Sequence, residues 1–410
     1  MRASFALLSA GILLAAIPAA GQLAPSVSLP QVPVVGPVTE SVEQMLEKPV
    51  GTVQSAGEML QVRAQRIAAI LIDRRKFVEP DAEGEPAVRG ELLLLDPDAA
   101  TRVAARDAGF TEASTERLGA LGMSVVRLQV PRGMSLAAAQ RALMRAAPNA
   151  DIAPDNLHFQ SGATGIGTAA VAGAVAAATA IAAPVGVIDG GPGKGEVVTA
   201  LRGFAKDAPV ASNHGSAVIS LLQGAGVKRV LAADVYGHDP AGGNALAIVR
   251  ALDWLAGSGA RVVSISLVGP RNAVLEKAIG ALRGKGMVVV AAVGNDGPAA
   301  PPAYPASYPG VLAITGVDSR QRPLIEAGHA LHLDYAAPGA GIRGRNKDGG
   351  WTSLRGTSFA VPLVAARAAA ALDRGGSWQA TLDREAVDLG PKGPDSQFGR
   401  GLLCAKCAAR

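Results

Sequence analysis

The sequence predicts an α/β protein with a parallel sheet covered by helices on both faces, preceded by a small α+β module. Between residues 185 and 372, short runs rich in Val, Ile and Ala alternate with helical segments, which is typical of such a sheet. Residues 61–160 instead follow the order strand, helix, strand, helix, strand. With 410 residues, 49% of them hydrophobic, the chain is long enough for both folded parts.

The elements of the upstream module follow from helix caps and from the alternation of apolar residues. The apolar run at 91–95 predicts a strand, and Asp98 caps a predicted helix that extends to residue 108. Alternation over 123–130 predicts a half-buried strand. Ser135 caps a helix that extends to about residue 147, and a last strand is predicted over 152–159.

The downstream elements are bounded by caps and glycines. Predicted strands cover 185–189, 230–235, 262–267, 288–292 and 311–315. Asn244 and Asn272 cap two helices, which end at Gly257 and Gly284. This regular alternation predicts crossover connections between parallel strands.

Three side chains suited to nucleophilic catalysis stand at the ends of predicted elements. Ser358 precedes an apolar helix predicted over 359–372, where unpaired N–H groups can hold the oxyanion formed when a serine attacks a carbonyl. His214 begins a helix, and Asp189 ends a strand. Separately they are explained as a helix cap, a core histidine and a turn former. Together, in the order Asp, His, Ser, they favour a catalytic triad.

A fourth polar group supports this interpretation. The apolar run over 287–293 leads into Gly294-Asn295 at the end of a predicted strand. An asparagine amide in that place can donate a hydrogen bond to a developing oxyanion. The four groups together indicate acyl transfer through a serine.

These motifs, in this order, resemble the subtilisin-like serine peptidases (subtilases) over residues 185–403. The resemblance implies a three-layer fold, a triad of Asp189, His214 and Ser358, and Asn295 as oxyanion donor. It implies serine endopeptidase activity on a protein or peptide substrate. It also assigns substrate binding to four further residues, Ser266, Leu267, Val268 and Ala303.

Some positions depart from the family's pattern. Gly190 follows the aspartate where Ser or Thr is usual, and Val268 stands where Gly is usual. Ala303 replaces a common glycine near the pocket floor, which favours a small or medium side chain before the scissile bond. The alternative function is a catalytically weak protein of the same fold that binds a peptide or a partner protein through its cleft. Gly190 and Val268 are its support.

The module at 61–160 resembles the inhibitory propeptide that precedes subtilase catalytic domains. The resemblance implies a zymogen that processes itself, with the chain's own propeptide as intramolecular inhibitor. Its tail, residues 153–160, is then expected to lie in the cleft like a substrate, by strand addition. A separate binding domain that stays attached is the alternative.

The first residues have the composition of a secretory signal peptide. Residues 1–21 combine a basic start, an apolar run and small residues at the end, which predicts export to the periplasm or beyond. Residues 22–60 are rich in Pro, Val, Ser and Gln and predict an extended linker.

Residues 161–184 form an uncharged stretch rich in Ala and Gly. Three interpretations stay open for it: the start of the mature domain, a flexible processing linker, or a membrane segment. The maturation cut is expected at its start. A membrane segment would make the protein a tethered processing protease.

Charge and cysteine content limit the remaining functions. The formal charge of +5 comes from scattered basic residues without interleaved aromatic residues, so nucleic-acid binding is not predicted. Cys404 and Cys407, in the tail 404–410, lack the second pair that structural zinc needs, and a local disulfide is expected. The short segment over 215–229 lacks the loop that holds calcium in many subtilases. No metal or cofactor is therefore predicted.

Overall fold

The computed structural model describes residues 55–161, 163–164 and 179–404. The predicted signal peptide, most of the Pro-rich linker, most of the uncharged stretch and residues 405–410 lie outside the described residues. Within the described ranges, no helix has both the length and the apolar composition needed to cross a bilayer.

The upstream module combines three helices and five strands of the described chain. They are α1 (Ala56–Asp73), β1 (Val78–Pro80), β2 (Pro86–Leu95), α2 (Ala99–Asp107), β3 (Thr111–Leu118), β4 (Met123–Gln129), α3 (Leu136–Ala146) and β5 (Asp151–Asn156). The predicted caps are confirmed: the side chain of Asp98 accepts from Thr101 N–H, and that of Ser135 accepts from Ala138 N–H.

The module's sheet is antiparallel, in the order β1-β2-β4-β3, with β5 pairing with β2. Because side chains alternate across a strand, Leu92 and Leu94 point into the module's own core. Leu93 and Leu95 point the other way, into a core shared with the downstream helices. The continuous leucine run of β2 therefore reflects a strand buried on both faces.

Three elements of this module were not predicted: α1, β1 and β3. Helix α1 starts inside the segment expected to be an extended linker, before the predicted boundary at residue 61. Its start has a capping box in which Ser55 accepts from Glu58 N–H and the Glu58 side chain accepts from Ser55 N–H. Strand β3 is mostly exposed and polar, so no apolar pattern marks it.

The rest of the described chain forms the larger part of the fold. Its strands are β6 (Phe159–Gln160), β7 (Ala163–Thr164), β8 (Val185–Asp189), β9 (Ala200–Gly203), β10 (Val230–Asp234), β11 (Val262–Ile265), β12 (Leu267–Val268), β13 (Val288–Ala292), β14 (Leu312–Val317), β15 (Tyr335–Pro338), β16 (Ala340–Arg345) and β17 (Trp351–Arg355). Its helices are α4 (Asn213–Gly224), α5 (Ala245–Gly257), α6 (Ala273–Gly284), α7 (Ala360–Arg374) and α8 (Trp378–Glu385), with a 3₁₀ turn at Thr357–Phe359.

Seven strands form a parallel sheet in the order β15-β14-β13-β11-β8-β10-β9. Helices α5 and α6 pack on one face, and α4 and α7 pack on the other. The predicted α/β fold is confirmed. The chain order reverses at β8, so the crevice at the carboxyl end of this strand is where such a sheet places a ligand.

The upstream module docks on the amino ends of α5 and α6. Asp155 Oδ1 accepts from Leu246 N–H at 2.9 Å, which satisfies one of the unpaired donors of the first turn of α5. Asn272, the cap of α6, donates to Pro154 O at 2.8 Å and to Asn156 Oδ1 at 3.0 Å. These contacts fix β5 and lead the chain after it toward the carboxyl edge of the sheet.

Candidate active site

Asp189 and His214 form a buried pair at the carboxyl edge of the parallel sheet. Asp189 is the last residue of β8, and His214 lies in the first turn of α4, which Ser212 caps. His214 Nδ1 lies 2.8 Å from Asp189 Oδ2 and 3.0 Å from Oδ1. Because an ionised carboxylate only accepts, Nδ1 carries the proton and Nε2 is left as a base.

Ser358 lies in the 3₁₀ turn between β17 and α7. Gly356, just before this turn, has φ of 142°, in the region that favours glycine. Neighbouring segments fix the turn: Ser266 Oγ donates to Ser358 O at 2.8 Å, and Thr357 Oγ1 donates to Gly294 O at 3.1 Å. The nucleophile candidate is therefore at the mouth of a buried helix, as predicted.

The Ser358 hydroxyl does not bond to His214 in this structure. Its Oγ lies 2.6 Å from Ser161 Oγ and donates to Ser266 O at 3.1 Å. Among the described residues, His214 Nε2 is buried without a hydrogen-bond partner. The His214 ring lies 5.3 Å, centroid to centroid, from the ring of Phe359, the residue after Ser358. Asp189 and His214 are thus hydrogen-bonded, the residue after Ser358 packs against His214, and the serine–histidine hydrogen bond is not made.

Asn295 follows β13 and is held beside the same turn. Its Oδ1 accepts from Thr357 N–H at 3.0 Å. Because this contact uses the carbonyl branch of the amide, the NH₂ branch is the one that can donate to an oxyanion.

The chain after β5 enters the cleft as an added strand. Strand β6 pairs with β12 in antiparallel fashion, Gln160 opposite Leu267 and Phe159 opposite Val268. Ser161 N–H then donates to Ser266 O at 3.4 Å. On the far side of Ser358, β7 pairs with β17, also antiparallel. The chain thus passes the candidate nucleophile with hydrogen-bonded strands before and after it.

Ser161 stands at the centre of this arrangement. Its carbonyl oxygen accepts from Ser358 N–H at 3.2 Å. The N–H of a nucleophile is one of the donors that hold the oxyanion in acyl transfer. The carbonyl oxygen of Ser161 is therefore held by the backbone N–H of the candidate nucleophile.

The four residues predicted to bind substrate line the cleft. Ser266, Leu267 and Val268 contact the added strand, as described above. Val268 and Ala303 border a cavity of about 240 Å³ together with Gly294 and Phe159. A Cβ placed on Gly294 would lie 3.4 Å from Val268 Cγ1 and 3.8 Å from Ala303 Cβ. Val268 and Ala303 therefore narrow the same space.

Helix α1 closes the other side of that cavity, a contact that the sequence did not predict. Arg66 forms two hydrogen bonds with Asp296, at 2.7 and 2.8 Å, and Arg63 lies 3.4 Å from the same carboxylate. The Arg66 guanidinium also lies 6.0 Å from the centroid of the Phe159 ring. No local pattern joins residues so far apart, although the Ser55 and Glu58 pair of the capping box is a local signal for the start of this helix.

Two titratable groups are buried where the tail docks. Burial lowers the pKa of His158 to about 4, the Asn156 carbonyl contact opposing it, and its Nε2 lacks a partner among the described residues. Tyr236 Oη donates to His158 O at 2.8 Å. Burial raises the pKa of Asp155 to about 7, although the hydrogen bond from Leu246 lowers it.

Metal ligands and cysteines add little to this site. Across residues 55–161 and 179–404, no group of three or more His, Cys, Asp or Glu side chains is placed to hold a metal ion. Cys404 is disulfide-bonded. Cys407, its expected partner, lies outside the described residues.

The seven-stranded parallel sheet, with an Asp–His pair and a serine at its carboxyl edge, defines a subtilisin-like α/β protein. The model of the subtilase family (Peptidase_S8) matches residues 167–401, and the chain belongs to that family.

Comparison with individual proteins agrees. The chain is 32% identical over 174 residues to Subtilisin Savinase of Lederbergia lenta, covering 41% of this chain and 63% of that protein. It is 34% identical over 174 residues to Subtilisin DY of Bacillus licheniformis, covering 40% and 62%. The chain thus spans less than two thirds of the length of these relatives.

A solved structure supports the fold. Fervidolysin from Fervidobacterium pennivorans, described as a keratinolytic enzyme related to subtilisin, superposes with a TM-score of 0.62. At 17% identity, over 78% of this chain and 61% of that one, the likeness is one of fold.

Proposed function

We propose that this protein is a serine endopeptidase made as a zymogen, whose upstream module is both its inhibitor and its first substrate. The observation that carries the proposal is the hydrogen bond from Ser358 N–H to Ser161 O, made within an added antiparallel strand. A product or substrate held in this way has the carbonyl of one residue at the nucleophile. The bond to be cut is then the one between Ser161 and Gly162.

The chemistry follows from the residue types. Ser358 Oγ turns from Ser161 Oγ toward His214 Nε2, gives up its proton and attacks the Ser161 carbonyl carbon. Asp189 stabilises the imidazolium, and Ser358 N–H and the Asn295 amide hold the oxyanion. His214 then protonates the amine of Gly162 as it leaves, and water hydrolyses the acyl-enzyme.

The cleft supports a preference for small residues before the scissile bond. Val268 and Ala303 narrow the cavity beside Gly294. The residue whose carbonyl meets Ser358 N–H is the small Ser161.

The place of action is inferred from the sequence alone. Residues 1–21 have the pattern of a signal peptide, which supports action in the periplasm or outside the cell. Export suits a peptidase because it separates the active enzyme from the cell's own proteins.

A second candidate, a peptide-binding protein of weak activity, has one observation in its favour. The Ser358 hydroxyl is engaged by Ser161 and Ser266 rather than by His214. Such an arrangement would persist in a protein that holds a peptide without cutting it.

A fluorophosphonate probe separates the two candidates. The full chain is incubated, treated with the probe and digested to find the labelled residue, while casein hydrolysis is followed in parallel. Labelling of Ser358 together with casein hydrolysis supports the endopeptidase if both are lost in Ser358→Ala and both are retained in Ser319→Ala. Ser319 is an exposed serine and serves as the control. A folded wild-type protein with neither labelling nor hydrolysis would leave only the binding function.

A further inference from the structure

We propose that the subsite for the second residue before the scissile bond selects glutamine, through a hydrogen bond to Asp189 itself. Gln160 Nε2 donates to Asp189 Oδ1 at 2.8 Å. This inference rests on the proposed function, since it treats residues 157–161 as a bound substrate. It adds a sequence preference that the triad alone does not dictate.

Gly190 lies beside this contact. A Cβ at residue 190 would lie 2.3 Å from Ser212 Oγ and 2.7 Å from Ser212 Cβ, so the glycine is required by the cap of α4. The same Cβ would lie 3.5 Å from Gln160 Nε2. That distance is an ordinary van der Waals contact, so the approach of Ser212 requires the glycine and the glutamine amide packs beside it. This accounts for the departure from the usual Ser or Thr.

The hydrogen-bonding capacity of Asp189 favours a donor at this point. Its Oδ1 accepts from Gly190 N–H at 2.8 Å and lies 3.0 Å from His214 Nδ1, and the glutamine amide completes its partners. An ionised carboxylate has about four acceptor sites and no donor. The Asp189 side chain is fully buried, so water cannot replace the amide without opening the cleft.

The charge of Asp189 also determines which side chains bind poorly as the second residue before the scissile bond. A methionine side chain is close to glutamine in length but has no donor, and it leaves the buried oxygen one partner short. A glutamate side chain places a second carboxylate against the first, which is repulsive at neutral pH. Asparagine keeps the amide but is one carbon shorter.

The effect of replacing the glutamine on peptide affinity follows from the contact with Asp189. A hydrogen bond to a charged group changes affinity by about tenfold to a hundredfold. Because the contact exists before reaction, its loss should raise KM and leave kcat nearly unchanged. A residue that acted on the chemistry would change kcat instead.

The test uses the full chain after it has been allowed to process itself. Internally quenched peptides carry residues 157–164 of the chain, Leu-His-Phe-Gln-Ser-Gly-Ala-Thr, with Gln, Met, Glu or Asn in the fourth place. We expect kcat/KM for Met to be about 10- to 100-fold below that for Gln, with the loss in KM, and Glu to be cut more slowly still. Equal kcat/KM for Gln and Met overturns the inference.

A second measurement distinguishes failure of the glutamine preference from failure of the proposed function. In the full chain, Gln160→Met should shorten the time for which the cleaved module still inhibits casein hydrolysis, while Gln160→Asn should fall between Met and wild type. If Ser358 is labelled and casein is cut, but no variant or peptide differs, only the glutamine preference fails. If no variant is cleaved or labelled, the proposed function itself fails.

Discussion

Ser358 donates its backbone N–H to the carbonyl oxygen of Ser161 while its hydroxyl lies 2.6 Å from the Ser161 hydroxyl. Ser161 therefore makes two contacts with the candidate nucleophile. The contact through its carbonyl oxygen favours attack, and the contact through its hydroxyl delays attack. The Ser161 hydroxyl and Ser266 O both engage Ser358 Oγ, which makes no hydrogen bond to His214 Nε2. The arrangement predicts a precursor that is held ready for cleavage but reacts slowly.

Removing the Ser161 hydroxyl should speed self-cleavage. In Ser161→Ala, Ser358 Oγ loses one partner and turns to His214 more readily, while the Ser161 carbonyl contact is retained. Because a neutral hydrogen bond contributes about 1 kcal/mol, the first-order rate should rise about fivefold. Loss of the intact chain on gels measures this rate. An unchanged or slower rate would show that the contact between the two hydroxyls does not slow self-cleavage.

Replacing the Asn295 amide should slow cleavage without unfolding the protein. Asn295→Asp keeps the Oδ1 acceptor for Thr357 N–H but removes the NH₂ donor and adds charge beside the oxyanion. The loss of one oxyanion donor lowers the rate by about 100- to 1,000-fold. A thermal melt of the variant serves as the folding control. Cleavage within a few-fold of wild type would remove Asn295 from the proposed mechanism.

Helix α1 should hold the cleaved module in place. Arg66 and Asp296 are both only about one fifth exposed, so their two hydrogen bonds are shielded more than a surface pair. In Arg66→Ala, the module should be released several-fold faster after cleavage, since such pairs contribute about 1 kcal/mol. Size-exclusion chromatography of the cleaved protein gives the release rate.

A matched control lies on the module's exposed side. Arg102 pairs with Glu112 within the module itself, away from the cleft. Arg102→Ala should leave the release rate unchanged. Equal release of the module from both variants would mean that the Arg66–Asp296 pair does not hold the module in place.

Module docking should respond to pH through two buried groups of opposite sign. The pKa of His158 falls from 6.5 to about 4 when the residue is buried. Its favourable contribution to the free energy of docking is therefore present above pH 6.5 and is lost as the pH falls through 4. The pKa of Asp155 rises from 3.8 to about 7, so its contribution is present below pH 3.8 and is lost as pH rises through 7. Between pH 7 and pH 5, each of these two groups changes the free energy of docking by about 2 kcal/mol. The two nearly cancel in the wild type.

Single variants should expose each titration. Asp155→Asn keeps the acceptor for Leu246 N–H and should dock more weakly as pH falls from 7 to 5. His158→Leu should dock more tightly over the same range. The dissociation constant of the cleaved module, measured at both pH values, tests this pair of trends. If both variants follow the wild type, neither buried group controls docking.

The placement of the candidate polar groups could be predicted from the sequence because the strands of a parallel sheet share one carboxyl edge. Asp189 ends β8 and Asn295 lies three residues after the end of β13 in the same sheet, while the start of α4 supplies His214 and the 3₁₀ turn before α7 supplies Ser358. Caps such as Asn244 also fixed helix starts to the residue, since the cap and its acceptor are neighbours in sequence.

The contacts missed by the sequence analysis join residues that are far apart along the chain. Neither the pairing of Arg66 with Asp296 nor that of Gln160 with Asp189 leaves a local pattern, because both depend on how the module docks. Strand β3 was missed for a different reason: its exposed, polar faces carry no apolar alternation. Gly190 departs from the Ser or Thr that is usual in the family, but the cause, the approach of Ser212, is visible only in three dimensions.

The most direct test of the account is the amino terminus of the larger fragment formed when the full chain is incubated. Intact mass and amino-terminal sequencing of this fragment should place the first cut between Ser161 and Gly162, with Ser358→Ala remaining uncut. A first cut at any other bond, or cleavage of Ser358→Ala at the same bond, would contradict the claim that Ser358 attacks the carbonyl it contacts.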